Sequence, residues 1–82
     1  MTPEIENIIE QLKSLKEKFQ KNQDSIEEDL DNLWMKMANS NPLHFRACMD
    51  KVKQLQRNYD FNKDLKALTK GIDEAISLIR LH

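Results

Sequence analysis

The sequence contains few of the residues that form tight turns or disulfides. Its 82 residues include one glycine, two prolines and one cysteine. So little glycine leaves no glycine-rich loop of the kind that cradles phosphates, and the scarcity of turn formers argues against a β protein. The single cysteine excludes an intramolecular disulfide framework. What remains is 39% apolar and 33% charged, a composition that suits a soluble helical protein.

The chain also lacks a long apolar run. No segment of about 18 consecutive apolar residues is present, so we predict no membrane insertion. The first six residues include two glutamates and no base. A cleavable signal peptide instead begins with a basic segment followed by an apolar one. The lone cysteine fits a reducing compartment. We therefore expect a cytoplasmic protein, or one exported without a cleavable signal peptide.

The charge is unevenly distributed along the chain. The net charge of −1 combines a first half, residues 1–42, with nine acids and five lysines and a second half, residues 43–82, with eight bases and five acids. Because opposite charges attract, this asymmetry favours the halves folding back on each other or packing between copies. Exposed ion pairs contribute only about 0.2–1 kcal/mol each.

The first half predicts one long amphipathic helix over about residues 3–38. Thr2 followed by Pro3 and Glu4 is a good helix start, since a hydroxyl caps free amides and proline suits the first turn. The alternative is a break near Asn22, followed by a restart at a capping box formed by Asp24-Ser25 and Glu28. The apolar stripe of this helix, at steps of three and four, is Ile5, Ile8, Leu12, Leu15, Phe19, Ile26, Leu30, Leu33 and Met37.

The second half predicts another long helix, over about residues 42–80. Asn41 and Pro42 form a cap and first turn, so the chain is expected to reverse within residues 39–42. Gly71 weakens the helix by about 1 kcal/mol relative to alanine and marks a site where it could kink or fray. The stripe of this helix is Phe45, Cys48, Val52, Leu55, Tyr59, Leu65, Leu68, Ile72, Ala75, Ile76 and Ile79.

Each stripe contains one asparagine, Asn22 in the first and Asn62 in the second. The two could face each other as a buried pair that fixes the register, or they could leave a gap in the seam that is open to water. Near the C-terminal end, apolar residues cover more of the helix circumference than one antiparallel neighbour can shield, which implies a second contact surface.

The predicted fold is therefore all-α, a single-domain helical hairpin of two long amphipathic helices. Two helices bury too little apolar surface to be comfortably stable at this size. We therefore expect a homo-oligomer, or a complex with a protein partner, held together by the stripes. The predicted interaction residues, which include a tryptophan beside the stripe, are Leu12, Leu15, Leu33, Trp34, Leu55, Leu68, Ile72, Ile76 and Ile79.

Few residues could carry chemistry. His44 and Cys48 lie four residues apart on one helical face, but zinc needs more ligands and His82 alone remains to help. We predict no metal site and no cofactor. Neither a nucleophile with its base nor a phosphate loop is present, so we predict that the protein is not an enzyme.

The charged clusters favour no ligand either. The acids of the first half, Glu27, Glu28, Asp29 and Asp31, fall on different helical faces and are expected to be solvated. In the second half, Lys51, Lys53 and Arg57 form a basic patch. Nucleic-acid binding is nevertheless not favoured, because the whole chain is slightly acidic and has no reading motif.

Two short segments resemble a known family. Asn41-Pro42 at the turn and Lys70-Gly71-Ile72-Asp73-Glu74-Ala75-Ile76 near the end resemble the needle subunits of bacterial type III secretion systems, as does Leu30-Asp31-Asn32-Leu33 before the turn. Those subunits are short helical hairpins that polymerise into a hollow filament. The resemblance, which covers about half of the chain, implies a hairpin that self-assembles.

The sequence thus predicts a protein-protein interaction module, in its sharpest form a needle-like subunit of a secretion filament. The competing prediction is a small regulatory adaptor, inhibitor or chaperone that binds one larger protein. A nucleic-acid-binding accessory protein is the least favoured alternative.

Overall fold

The computed structural model describes residues 2–80, and within them the chain is all-helical, with four helices and no strand. The helices are α1 (Pro3–Lys21), α2 (Ile26–Ser40), α3 (Pro42–Asn62) and α4 (Leu65–Arg80). The all-α prediction is confirmed. The prediction of two long helices is wrong, because each of them is divided in two.

The four helices form an antiparallel bundle. Each helix packs against two others in the order α1, α2, α3, α4 and back to α1, and the diagonal pairs do not touch along the described residues. The bundle measures 32 by 20 by 20 Å, whereas an unbroken first helix would extend roughly 54 Å. Folding each long helix back on itself lets four apolar stripes share one core, and this gain outweighs the cost of the two breaks.

The first break lies at residues 22–25, where the alternative prediction placed it. The backbone of Asn22 is extended, its N–H donates to the Lys18 carbonyl, and its side-chain oxygen accepts a bond from the backbone N–H of Asp24 at 2.9 Å. The restart differs from a capping box, because the Ser25 hydroxyl makes no cap bond and instead donates to Asp29.

The second break lies at Lys63 and Asp64. Lys63 adopts the left-handed conformation, with a φ of 52°, and ends α3. The Asp64 side chain then accepts a bond from the backbone N–H of Ala67 and starts α4. Asn22 and Asn62 are both exposed beside these breaks, so they form no buried pair. Gly71 lies inside α4 without a break.

The turn between the predicted halves is a single residue. Asn41 lies between α2 and α3, and its side-chain oxygen accepts a bond from the backbone N–H of His44 at 3.1 Å. The reversal predicted within residues 39–42 is therefore present. At the other end of the chain α4 packs on both α3 and α1, so α1 supplies the second contact surface that the broad apolar face of α4 requires.

Most of the core comes from the predicted stripes, and Ile9 and Met49 add buried side chains from outside them. Among the largest fully buried side chains are Phe19, Phe45, Leu12, Leu30 and Ile72. Around this core, ion pairs within the described residues bridge every adjacent pair of helices. They join Lys18 to Asp29, Lys53 to Asp31, Lys51 to Glu74 and Lys16 to Asp73.

Candidate interaction surface

Most of the predicted interaction residues are buried in the core of a single copy of the chain. Leu15 and Trp34 are half-buried at the edge of the core. Association through the stripes is predicted because two helices would leave the stripes exposed to solvent. A closed four-helix bundle removes that reason. Their role in association stays a prediction. The predicted residues that are buried in the core are Leu12, Leu33, Leu55, Leu68, Ile72, Ile76 and Ile79.

The residues considered for a metal site do not assemble one. Cys48 is 1% exposed, and its burial raises the pKa of the thiol to about 12, so it packs as a neutral, small apolar group. His82 lies outside the described residues. Within residues 2–80, no three or more histidine, cysteine or acidic side chains come together as metal ligands.

The outer face of α3 carries the two most exposed large apolar side chains of the described residues. We use this name for six solvent-exposed residues, Leu43, Arg46, Asp50, Gln54, Arg57 and Phe61. Leu43 is 85% exposed and Phe61 is 91% exposed. Exposed apolar residues scattered singly are common, but these two lie at opposite ends of one helix face and are nearly free of intramolecular contact.

A neighbouring part of α2 adds an aromatic and a methionine. Met35 is 52% exposed. Trp34 packs on the edge of the core, with the Lys53 ammonium 4.9 Å from its ring centroid. This arrangement leaves one face of the indole covered by a cation, a contact that contributes about 0.5–1 kcal/mol at an exposed site.

A polar network fixes α2 against α3 beneath this surface. The buried Gln56 amide donates to the Asp31 carboxylate at 2.9 Å and to the Glu27 carbonyl at 3.2 Å. The Gln56 hydrogen bond lowers the pKa of Asp31, and the nearby Lys53 lowers it further despite partial desolvation. The network holds Lys53 beside both Asp31 and Trp34, so the lysine belongs to the fold rather than to a free basic patch.

The charges on the outer face of α3 are free to meet a partner. Arg46, Asp50 and Arg57 form no ion pair and no side-chain hydrogen bond within residues 2–80. Of the predicted basic patch, Lys51 pairs with Glu74 and Lys53 with Asp31. The acids therefore neutralise two of its three bases.

Two of the grooves on the described part of the bundle lie over apolar side chains between neighbouring helices. One of about 230 Å³ opens between α1 and α2, over Leu15 and Leu33. Another of about 220 Å³ lies between α3 and α4, where Leu55 and Gly71 form part of the wall. Polar side chains surround both grooves.

The remaining predictions on charge and membranes can be compared with the structure. Glu27 and Glu28 are exposed, while Asp29 is half-buried and paired with Lys18. Partial burial alone would raise the pKa of Asp29, but hydrogen bonds from Lys18 and Ser25 outweigh this effect and the pKa is lowered. None of the described helices is both long and apolar enough to cross a membrane.

The apolar stripes could not reveal the outer face of α3, because its residues lie off the stripe. Leu43 and Phe61 nevertheless give a signal in the sequence. Both are large apolar residues that interrupt the polar face of an amphipathic helix, and they are separated by a whole number of helical turns. Comparison with known proteins adds no assignment, since no family model, no curated protein and no solved structure matches the chain.

Proposed function

We propose that this protein is a non-enzymatic protein-protein interaction module that binds through the outer face of α3 and the adjoining part of α2. The observation that carries the proposal is the near-complete exposure of Leu43 and Phe61 on a bundle whose other large apolar side chains are mostly buried. Protein interfaces are enriched in aromatic residues, methionine and arginine. Phe61, Met35 and the two unpaired arginines supply that composition.

The size of the bundle supports a binding role. Each of its four helices is committed to two neighbours, so the fold offers rigid helix faces rather than an enclosed cavity. A rigid helix face is a good docking surface, because little side-chain or backbone entropy is lost when a partner binds. A small regulatory adaptor, inhibitor or chaperone would use the surface in this way.

A filament subunit of the needle type is a second candidate. Its support is the continuity of the stripes, which in the sequence run across both breaks. If the short breaks at residues 22–25 and 63–64 straightened, two long helices would expose the stripes to neighbouring copies. Assembly would then have to replace the whole core of the closed bundle, so this candidate requires an opening that binding through the outer face of α3 does not.

Site-specific photocrosslinking tests the first proposal. A photoreactive amino acid placed at position 61 or 43 should crosslink to a partner in the native cell, whereas one at Gln20 on the exposed side of α1 should not. The partner is then purified, and its affinity is measured against Phe61→Glu, Leu43→Glu and the control Gln20→Glu. We expect at least a tenfold loss for the first two variants and none for the control.

Circular dichroism separates binding from folding in this experiment. Positions 43 and 61 are exposed, so their glutamate variants should melt within a few degrees of the native chain. Crosslinks that arise equally from all three positions would contradict the proposal. So would an affinity that neither substitution changes.

A further inference from the structure

The first break, at residues 22–25, separates two helices whose buried faces are in line. In one straight helix, residues that are 18 positions apart lie about five turns apart and point in the same direction. Three pairs of buried residues from α1 and α2 have this spacing. They are Ile8 and Ile26, Leu12 and Leu30, and Phe19 and Met37. The apolar stripe of the first half would therefore stay on one side of a straight helix from α1 to α2.

The second break, at Lys63 and Asp64, does not have this property. Steps of three and four continue across it, but they turn the direction of the stripe. The residues 18 positions before buried Ile72, Ala75 and Ile79 are exposed residues of α3, namely Gln54, Arg57 and Phe61. A straight helix from α3 to α4 would point the two buried faces about half a turn apart. Of these two breaks, the first alone can straighten and keep both of its stripes on one side.

The residues of the first break are compatible with a helix. Asn22, Gln23, Asp24 and Ser25 include neither glycine nor proline, and none of them has a positive φ. Exposed hydrogen bonds hold the break, from the Asp24 N–H to the Asn22 side chain and from the Tyr59 hydroxyl to the Gln23 side chain at 3.2 Å. The pair α1–α2 is also the least closely packed of the adjacent pairs. Little of the packing between α1 and α2 therefore opposes straightening.

A straightened first half leaves a place in the core that a second copy can fill. In the closed bundle α1 covers both α2 and α4. Two straightened copies can lie antiparallel about a twofold axis near residues 22–25, so that α1 of each packs on α2 and α4 of the other. In this arrangement α1 and α2 of one chain must bury the same side of the long helix, which is what the aligned stripes provide. Such an exchange is a low-cost route to a dimer, because it reuses the contacts of the closed fold.

We infer that residues 22–25 are a hinge through which two copies of this chain exchange α1. The closed monomer and the exchanged dimer share the same core contacts, so the concentration at which the chain folds sets their ratio. The inference does not rest on the proposed function, because the outer face of α3 stays exposed in the exchanged pair.

Refolding from urea at low and high chain concentration, followed by sedimentation, tests the hinge. We expect the dimer fraction of the native chain to rise with the refolding concentration. Gln23→Ala and Gln23→Pro form a matched pair, since both lose the bond from Tyr59 but proline interrupts a straight helix. The extended backbone of Asn22 suits the position before a proline, so Gln23→Pro should keep the closed bundle by circular dichroism.

The two variants should differ in association. Gln23→Ala should dimerise at least as well as the native chain, whereas Gln23→Pro should raise the dissociation constant at least tenfold. If the native chain and Gln23→Ala are monomeric at every refolding concentration, the inference is wrong. It is also wrong if Gln23→Pro dimerises as Gln23→Ala does.

A distance within one chain distinguishes exchange from any other dimer. The side chains of Gln11 and Lys36 are hydrogen-bonded at 3.1 Å in the closed bundle, although 25 residues separate them. In a straight helix they would lie roughly 38 Å apart. Spin labels on a Gln11→Cys, Lys36→Cys chain, diluted into unlabelled native chain, report this distance by double electron-electron resonance. The native Cys48 is 1% exposed and stays unlabelled.

We expect a much shorter distance in the monomer fraction and roughly 38 Å in the dimer fraction. Phe61→Glu alters the outer face of α3 and should leave both the distance and the dimer fraction unchanged. A dimer fraction that keeps the short distance has formed without exchange and overturns the inference. A dimer that Phe61→Glu abolishes is held by the outer face of α3 and overturns it as well.

Discussion

The two halves of the bundle repeat one pattern, a pair of antiparallel helices with a short break, but different contacts hold them together. In the α3–α4 pair, Leu55 packs directly on the backbone of Gly71. In the α1–α2 pair, polar side chains span the groove, with Lys18 bonded to Asp29 and Lys36 to Gln11. Helices α3 and α4 are in closer contact with each other than helices α1 and α2 are.

The difference shows that an apolar stripe alone does not determine how closely two helices approach. A glycine at the contact lets α3 and α4 come together, because it presents no side chain. The α1–α2 contact instead has leucines on both sides, Leu15 and Leu33, and a groove remains above them. Four predictions compare the two halves in their packing, their breaks and their polar contacts.

The largest effect is expected from truncating the tightly packed half. Leu68→Ala removes a side chain that is 2% exposed, and such a change costs about 2–5 kcal/mol of unfolding free energy. Leu15→Ala truncates the leucine at the α1–α2 groove for comparison. Leu15 is half-buried, so its truncation should cost about 1 kcal/mol. Urea unfolding of both variants measures the difference, and equal losses would contradict the comparison.

Much of the fold can be predicted from the spacing of the apolar residues and from the capping residues. Most stripe residues are buried because helical spacing places them on one face, and the reversal at Asn41 follows from its cap and from Pro42. The predicted number of helices is wrong, because the apolar stripe continues through both breaks. The spacing of apolar residues does not indicate where a helix folds back. The alternative prediction places a break near Asn22, whereas Asn62 is predicted only as a possible partner of Asn22 or as a gap in the seam, and the break beside it is not predicted.

The second prediction concerns Gly71. A Cβ at this position would overlap the Leu55 side chain. Overpacking of this kind costs about 1–3 kcal/mol, while alanine gains about 1 kcal/mol of helix propensity over glycine. Gly71→Ala should therefore destabilise the chain by up to about 2 kcal/mol. In a Leu55→Ala background the overlap is gone, so the same substitution should stabilise by up to about 1 kcal/mol.

The sign of this change is the decisive readout of the double-mutant cycle. If Gly71→Ala stabilises the chain in both backgrounds, the glycine is a plain helix weakness, as the sequence suggested, and α3 and α4 do not depend on it. From propensity alone the glycine predicted a kink. Its packing role could not be predicted, because no sequence pattern pairs Gly71 with Leu55.

The third prediction compares the two breaks. Lys63 has a positive φ, a conformation that costs a residue with a side chain about 1–2 kcal/mol but costs glycine little. Lys63→Gly should stabilise the chain by about 0.5–1 kcal/mol, after allowing for the extra chain entropy of glycine. Asn22→Gly should instead destabilise it by a similar amount, because Asn22 is extended and bonds to Asp24. Thermal unfolding measures both changes, and a shared sign would contradict the prediction.

The candidate surface was harder to predict than the core. Leu43 and Phe61 are separated by five turns in the sequence, but this spacing gains meaning only once α3 is known to be continuous from Pro42 to Asn62 and to bury its opposite face. The ion pairs of Lys53 with Asp31 and of Lys51 with Glu74 depend on which helices become neighbours. The sequence alone therefore could not show that acids neutralise part of the basic patch.

The last and smallest effect should come from the polar contacts of the α1–α2 half, and it depends on pH. Partial burial would by itself raise the pKa of Asp29, but bonds from Lys18 and Ser25 lower it below its ordinary value of 3.8. A carboxylate with a lowered pKa in the folded state stabilises the protein above the unfolded pKa and loses this contribution as the pH falls through the folded value.

Asp29→Asn should therefore cost up to about 1 kcal/mol at pH 7, since Lys18 is nearly half exposed. The deficit should shrink as the pH falls below 3.8, through the lowered pKa of the folded state. It should also shrink in high salt, because exposed charges are screened. Gly71→Ala changes packing and should respond to neither condition, so urea unfolding of both variants across pH and salt completes the comparison. A deficit of Asp29→Asn that stays constant from pH 7 to pH 2 would show that the α1–α2 contact does not rest on this carboxylate.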